Sequence, residues 1–147
     1  MSEESVVAVA GQGKSYSIGQ THFEVRALSE QLGGAFSLLE FDGPEGAWTV
    51  PHIHQHGRES FYVLAGEFAF LLGNEERSLK PGDFISISPG TIHMIRAGVS
   101  GGRLLCFTPA GLERMFIEMS ALGPQALTDP EIRRGLSERH DSVPSSS

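Results

Sequence analysis

Between residues 15 and 108, short apolar runs alternate along the chain with turn-forming residues. The runs are rich in β-branched and aromatic side chains, and Gly73-Asn74, Pro81-Gly82 and Pro89-Gly90 between them are typical of tight turns. Strands are predicted at 16–18, 22–28, 35–41, 48–53, 60–64, 67–72, 77–79, 83–88, 92–97 and 103–108. Many short strands at regular spacing predict an all-β sandwich or a jelly-roll barrel.

After residue 109 the apolar positions take on the period of a helix. Leu112, Met115, Phe116 and Met119 fall on one helical face. We expect this helix to pack outside the barrel or on a second subunit, and a position bordering a substrate entrance is the alternative. A capping-box pattern at 128–131 then predicts a second short helix that ends near residue 138.

These patterns divide the chain into four parts. We predict a flexible N-terminal arm over 1–14, a β-barrel over 15–108, a helical segment over 109–139 and a disordered tail over 140–147. No internal repeat is found. The barrel is therefore a single unit rather than a tandem pair.

Charge and composition narrow the classes of partner. A net charge of −7 over 147 residues argues against nucleic acid and anionic membranes, which both require a basic face, and favours a small-molecule ligand. The single cysteine, Cys106, excludes an internal disulfide and is expected to be a buried thiol rather than a nucleophile. The acidic N-terminus lacks the features of a signal peptide, and no run reaches membrane-spanning length, so a cytoplasmic protein is predicted.

The strongest chemical signal is a cluster of imidazoles beside a carboxylate. His52 and His54 alternate as residues on one face of a strand do, and Glu59 opens the next apolar run after a short turn. His93 begins a later strand after a Ser-Pro-Gly turn. Three neutral imidazoles and one carboxylate suit a divalent first-row transition metal.

Other polar residues near this cluster have simpler interpretations. His56 shares the alternating spacing and is an alternative third imidazole, but Gly57 follows it, so we expect an exposed turn residue or a support to the ligands. Arg58 is interpreted as a solvated turn residue, and His22 and His140 as surface residues. The alternative for the whole cluster is a metal-free barrel with polar residues in a solvated mouth.

The spacing of these residues resembles the two motifs of the cupin family. From Gly46 the chain reads G-x5-H-x-H-x4-E-x6-G, similar to the first motif without a deviation. From Gly82 it is similar to the second, G-x5-P-x-G-x2-H-x3-N, except that Ser88 and Ala97 stand where Pro and Asn are usual. The resemblance implies a cupin jelly-roll barrel that binds one divalent ion, of Ni, Fe, Mn, Co, Cu or Zn, per chain. It assigns the ligands to the motif positions, which are His52, His54, Glu59 and His93.

The segment from 52 to 116 is also similar to small single-domain cupins related to quercetin dioxygenase. That resemblance implies oxidative cleavage of an enol by dioxygen, with Glu59 as both ligand and catalytic base. Related cupins commonly form homodimers, and strands with apolar residues on both faces favour the same assembly here. The alternatives are a non-oxidative lyase, isomerase or cyclase that uses the ion as a Lewis acid, and a binding protein without turnover.

Strand alternation also predicts the residues around the ion. Side chains two or four positions from a ligand on the same strand face the same side. The predicted pocket is apolar, which indicates a largely hydrophobic or aromatic substrate with one or two oxygens for the metal. Its lining residues are predicted to be Trp48, Val50, Phe61, Val63 and Ile95.

Overall fold

The computed structural model describes residues 4–145, and its regular elements are mainly strands. The strands are β1 (Ser15–Ile18), β2 (Thr21–Ala27), β3 (Ser37–Gly43), β4 (Gly46–Ala47), β5 (His52–Ile53), β6 (Glu59–Leu72), β7 (Glu75–Leu79), β8 (Phe84–Ile87), β9 (His93–Thr108) and β10 (Val143–Pro144). The helices are α1 (Glu113–Leu122) and α2 (Pro130–Arg139), with short 3₁₀ turns at Ser29–Leu32 and Ala126–Thr128.

Two long strands organise the barrel. β9 pairs with β3, β4, β5 and β6, and β6 pairs in addition with β7 and β8, all antiparallel. The predicted all-β jelly-roll barrel with two short C-terminal helices is confirmed. No helix among residues 4–145 is long and apolar enough to cross a membrane.

Alternating side chains of β6 and β9 fill the barrel. Phe61, Val63, Phe68 and Phe70 point inward from β6 and are almost completely buried. On β9 the buried positions include Ile95, Ala97, Leu104 and Cys106. A strand that buries every second residue on one face holds its register, because a slip of one residue would expose the whole apolar set.

Each of the two long strands bends sharply near its middle, so that its two halves lie on different sides of the barrel. The register of β6 against β9 shifts near Gly66, which has a φ of +75°. A Cβ atom at this position would lie 2.1 Å from the carbonyl oxygen of Gly101. Only glycine combines this φ with so close a backbone approach. The predicted runs at 60–64 and 67–72 are therefore halves of one bent strand, as are those at 92–97 and 103–108.

The remaining differences lie at the edges of the barrel. The predicted strand at 48–53 contains strand residues only at its end, in β5, and residues 48–51 are irregular. Residues 4–14 contain no helix or strand, and the first three residues of the predicted N-terminal arm lie outside the described chain. Helix α2 begins one residue later than the capping-box pattern suggests, because Asp129, and not Thr128, accepts the backbone N–H of Glu131 at 2.8 Å.

The C-terminal segment packs against the open end of the barrel. Phe116 of α1 makes an edge-to-face contact with Phe41 of the barrel core, with ring centroids 5.3 Å apart. Leu112, Met115 and Leu136 form a second small core between the two helices. The described part of the predicted disordered tail, residues 140–145, contains β10, which pairs with β5, and the backbone N–H of Ser145 donates to the carbonyl oxygen of Pro51. These contacts argue against disorder in the described part, and residues 146 and 147 lie outside the described chain.

Candidate metal centre

Strand ends bring the four predicted ligands together. His52 lies in β5, His54 follows directly after it, and Glu59 and His93 are the first residues of β6 and β9. His52 and His93 are paired across β5 and β9. β6 and β9 run antiparallel, with His93 opposite Leu72 at the end of β6, so Glu59 meets His93 through its side chain and not as a partner in the strand pairing.

The ligand atoms of these residues converge on one point. The donor atoms of the four side chains all lie within 4.8 Å of one another. Oε1 of Glu59 lies 3.2 Å from Nε2 of His54 and 3.4 Å from Nε2 of His93. None of the four residues is more than 9% exposed, so the cluster is screened from bulk water.

Each imidazole is oriented by a backbone carbonyl. Nδ1 of His52 lies 2.7 Å from the carbonyl oxygen of Val50, and Nδ1 of His54 lies 2.6 Å from that of Asp141. Nδ1 of His93 lies 2.9 Å from the carbonyl oxygen of Thr91. A carbonyl oxygen can only accept, so every Nδ1 carries a hydrogen, and Nε2 is the atom of each ring that is left to coordinate a metal ion.

Electrostatics keep a negative carboxylate among these rings. Burial, and next the proximity of His93, lower the pKa of His52 to about 4, so this ring is neutral at neutral pH. Burial alone would lower the pKa of His54, but its contacts with Glu59 and with Asp141 outweigh burial and raise it. Burial would raise the pKa of Glu59, yet its contacts with His54 and His93 hold this pKa far below the ordinary value.

The donor set fits a divalent metal ion. Nε2 of His93 is buried and has no hydrogen-bond partner among the described residues. Lone pairs of three imidazoles and a carboxylate facing one another repel unless a cation lies between them, and this combination of ligands suits first-row transition metals. His52, His54, Glu59 and His93 could therefore hold one such ion.

Cys106 also contacts the carboxylate. Its Sγ donates to Oε2 of Glu59 at 3.6 Å, on the oxygen that does not contact the imidazoles. Burial, and next the charge of Glu59, raise the pKa of this thiol, so it stays protonated. The thiol is fully buried, as expected, but the sequence contains no local signal that would place it beside Glu59.

The other histidines lie outside the cluster. His56 is exposed and contributes its backbone N–H to Asp141. His22 is exposed and pairs with the hydroxyl of Ser17. His140, predicted as a surface residue, is instead only 13% exposed at its side chain, because Nε2 lies 2.7 Å from Glu118.

A cavity of about 360 Å³ reaches the cluster at His52 and Glu59. Four of the five predicted pocket residues, Trp48, Val50, Phe61 and Ile95, line it. Val63 is not among the lining residues and is fully buried in the core. The reason is the bend of β6, since Val63 lies next to the register shift and faces the packed part of the barrel.

The C-terminal helices supply the opposite wall of the cavity. Of the two placements considered for the first helix, the structure supports the one that borders the cavity, because Met115, Phe116 and Met119 of its apolar stripe line it and Phe116 also packs against the core. The stripe was visible in the sequence, but its direction depends on the turn at 109–112 that leads from β9 into α1. The C-terminal lining residues are Met115, Phe116, Met119, Leu127, Arg133, Leu136, Ser137, Ser142 and Pro144.

Comparison with known proteins identifies the family. Residues 40–107, which include all four candidate ligands, match the family model of the cupin domain. The chain belongs to the cupin superfamily. This cupin is 30% identical over 90 residues to quercetin 2,3-dioxygenase of Bacillus subtilis (strain 168), an alignment that covers 61% of this chain and 27% of that protein. The chain thus spans about a quarter of the length of this curated relative.

Solved structures share the fold of this cupin. KdgF from Halomonas sp. superposes with a TM-score of 0.65 at 20% identity, covering 74% of this chain and 99% of that one. The polyketide cyclase RemF from Streptomyces resistomycificus superposes with a TM-score of 0.62 at 24% identity, covering 72% of this chain and 80% of that one. At these identities the likeness is one of fold.

Proposed function

We propose that this cupin is a metal-dependent oxygenase, a quercetinase-like dioxygenase that acts on an aromatic or polyketide-like enol. The observation that carries the proposal is the junction of the four-residue donor cluster with an apolar cavity at His52 and Glu59. The 30% identity to quercetin 2,3-dioxygenase over 90 residues supports the choice of reaction.

The cavity suits an aromatic substrate of modest size. A volume of about 360 Å³ lies within the range of small-molecule sites, and aromatic and aliphatic side chains form most of its lining. Trp48 and Phe61 are aromatic lining residues that a planar molecule can contact, and the members of the donor cluster that line the cavity are His52 and Glu59. A substrate that enters with its oxygens first therefore meets Glu59 and His52.

Glu59 is the residue we assign as catalytic base. A divalent ion held by the cluster would supply Lewis acidity, which lowers the pKa of an enol hydroxyl toward that of the carboxylate, and open positions for substrate or dioxygen. The carboxylate of Glu59 is ionised, and it takes the hydroxyl proton on Oε1 or Oε2. The S–H of Cys106 supports Oε2, and the apolar walls exclude water from the proton transfer.

A non-oxidative cyclase, lyase or isomerase is the second candidate. The fold likeness to the polyketide cyclase RemF favours it, because an apolar cavity with one base serves an enol or ketone equally well without dioxygen. A binding protein without turnover is the third.

Oxygen uptake separates these candidates. Protein loaded in turn with nickel, cobalt, manganese or iron is given a flavonol such as quercetin, and dioxygen consumption and product mass are measured together. We expect dioxygen to be consumed in proportion to the substrate lost. Product formed without oxygen uptake would favour the second candidate, and substrate bound without any product would favour the third.

Activity per bound ion in Glu59→Gln tests the base assignment. Gln has nearly the same shape and can coordinate through its carbonyl oxygen, but it cannot take a proton. We expect the variant to keep a substantial fraction of the metal and to lose turnover by about a hundredfold or more. His56→Ala is the control, with unchanged activity per ion. If the activity per bound ion of Glu59→Gln is close to that of wild type, Glu59 is a metal ligand and not the catalytic base.

We further propose that the protein is a cytoplasmic homodimer. Tyr62 and Leu64 of β6 and Phe84 of β8 are between 38% and 58% exposed, and Tyr62 and Phe84 are paired across the two strands. A continuous apolar patch on a sheet face is typical of a subunit interface.

A further inference from the structure

The C-terminal residues 140–145, which we name the C-terminal strap, lie directly against the metal-ligand loop. The strap comes from outside the matched domain at 40–107. Its strand β10 pairs with β5, with Pro144 opposite His52 and Val143 opposite Ile53. The backbone N–H of Ser145 also donates to the carbonyl of Pro51 at 2.8 Å. The strap is therefore an added edge beside the strand that carries His52 and leads directly into His54.

Asp141 binds the loop that joins His54 to Glu59. Oδ1 accepts the backbone N–H of Gln55 at 2.7 Å, and Oδ2 accepts those of His56 at 2.8 Å and Gly57 at 3.0 Å. Three backbone donors on one carboxylate fix the conformation of a turn that would otherwise be exposed. Hydrogen bonds to a charged acceptor are the stronger kind, so this contact holds the distance between the two ligands.

The backbone of the same residue orients His54. The carbonyl oxygen of Asp141 accepts the hydrogen on Nδ1 of His54 at 2.6 Å. His52 and His93 use carbonyls two residues before themselves, at Val50 and Thr91, so their orientation is local. His54 instead depends on a residue 87 positions away. Without the strap, Nδ1 of His54 would lose this acceptor, and the contact of Nε2 with Glu59 at 3.2 Å would remain.

The first residue of the strap, His140, is also held by contacts with α1. Glu118 of α1 pairs with both Arg139 and His140, which fixes the start of the strap to the helix that lines the cavity. Ser142 and Pro144 line the cavity themselves. The strap thus contacts the ligand loop, the ligand strand and the cavity wall.

We propose that the C-terminal strap is a working part of the metal centre, with Asp141 as a positioning residue that sets the ring of His54 and its separation from Glu59. The strength of metal binding then depends on a segment outside the matched cupin domain. This inference rests on the proposed metal site and is independent of the proposed reaction.

Metal affinity of strap variants tests this inference. The dissociation constant for cobalt(II) is measured by competition with a chelator, and the visible absorption of the bound ion reports the ligand set. Support to a metal-bound imidazole typically changes affinity by about 10–100-fold, so we expect a loss of this size in Asp141→Ala and at least as great a loss in a chain ending at Arg139. The matched control is Asp129→Ala, which removes a carboxylate that accepts a backbone N–H at the start of α2, away from the cluster. We expect its affinity and spectrum to match wild type.

Hydrogen exchange in the wild-type chain gives a second test that needs no folded variant. If the strap strengthens metal binding, the ion must stabilise the strap contacts by the same free energy. We expect saturation with cobalt(II) to slow exchange at the amides of residues 55–57 by about tenfold or more, and to leave the capped amide of Glu131 unchanged.

The outcomes separate this inference from the metal site itself. Wild-type protein that does not bind cobalt(II) would overturn the metal site and the strap together. If the wild type binds cobalt(II) tightly and the affinity of Asp141→Ala is within twofold of the wild-type value, the inference about the strap is overturned and the metal site is not. If Asp141→Ala does not fold, amide exchange at residues 55–57 of the wild type decides. Equal rates with and without cobalt(II) would overturn the inference about the strap.

Discussion

Replacing Glu113 by Gln should loosen the helix that forms the cavity wall. Glu113 is the first residue of α1 and is only 1% exposed. Its Oε2 accepts the backbone N–H of Ser29 at 2.7 Å, and its Oε1 accepts that of Gly111 at 2.8 Å. Gly111 lies in the turn from β9 into α1, and Ser29 begins the 3₁₀ turn between β2 and β3.

The expected cost follows from these two hydrogen bonds. Gln keeps one acceptor oxygen, but its NH₂ group must face the second backbone N–H. Turned toward Ser29, it leaves that N–H without an acceptor, and turned toward Gly111, it leaves only the Ser29 hydroxyl at 3.2 Å. An unsatisfied buried donor costs about 1–3 kcal/mol, and the charge of the lost acceptor places the value in the upper part of this range. The free energy of unfolding, measured with urea near neutral pH, should fall by this amount. The control Glu30→Gln changes an exposed carboxylate in the neighbouring 3₁₀ turn and should alter stability by less than about 0.5 kcal/mol.

The difference in free energy of unfolding between wild type and Glu113→Gln should also depend on pH in a predictable direction. Burial would raise the pKa of Glu113, but the hydrogen bonds from Ser29 and Gly111 outweigh it and hold the pKa below the ordinary value of 4.5. A lowered folded-state pKa stabilises the protein above the unfolded-state pKa, and this contribution is lost as the pH falls through the folded value. The gap between wild type and Glu113→Gln should therefore be constant above about pH 6 and shrink below 4.5. A gap under about 0.5 kcal/mol at neutral pH, or one that acid leaves unchanged, would refute the reasoning.

Three further results are expected. Cys106 is fully buried with a raised pKa, so a thiol-specific disulfide reagent should react with it only after unfolding, and rapid reaction of the native protein would contradict this placement. Light scattering should give a dimer mass for wild type and a monomer mass for Phe84→Glu; a monomeric wild type would count against the proposed interface. Trp48, the single tryptophan, lines the cavity, so an aromatic substrate should quench its fluorescence in a saturable way, and an unchanged signal during turnover would argue against binding there.

Local patterns were sufficient to predict the barrel and the four residues that cluster in it as candidate ligands. The alternation of buried and exposed residues along β6 and β9 can be predicted from the sequence. It correctly places Phe61 on the same inner face as Glu59, and Ile95 on the same inner face as His93. Three of the four candidate ligands stand at short spacings around one turn, at 52, 54 and 59, and the pairing of β5 with β9 places His52 opposite the fourth, His93.

Contacts between distant residues could not be predicted in the same way. Nothing near Asp141 in the sequence indicates that it meets residues 55–57, because its polar and Ser-rich surroundings are also typical of disorder. Alternation placed Val63 in the pocket, but a register shift that depends on Gly66 and Gly101 changes which part of the barrel it faces. The direction of α1 was likewise set by tertiary packing of Phe116 on Phe41 rather than by its own periodicity.

Metal content per chain is the most direct measurement of the central claim, that His52, His54, Glu59 and His93 form a metal site. Untagged protein purified without chelators is analysed by mass spectrometry for bound transition metals. We predict close to one divalent ion per chain in wild type and in His56→Ala, and a loss of the ion in His52→Ala, His54→Ala and His93→Ala. Wild-type protein that neither contains nor takes up a divalent ion, or an ion lost from His56→Ala but kept in His93→Ala, would contradict the assignment.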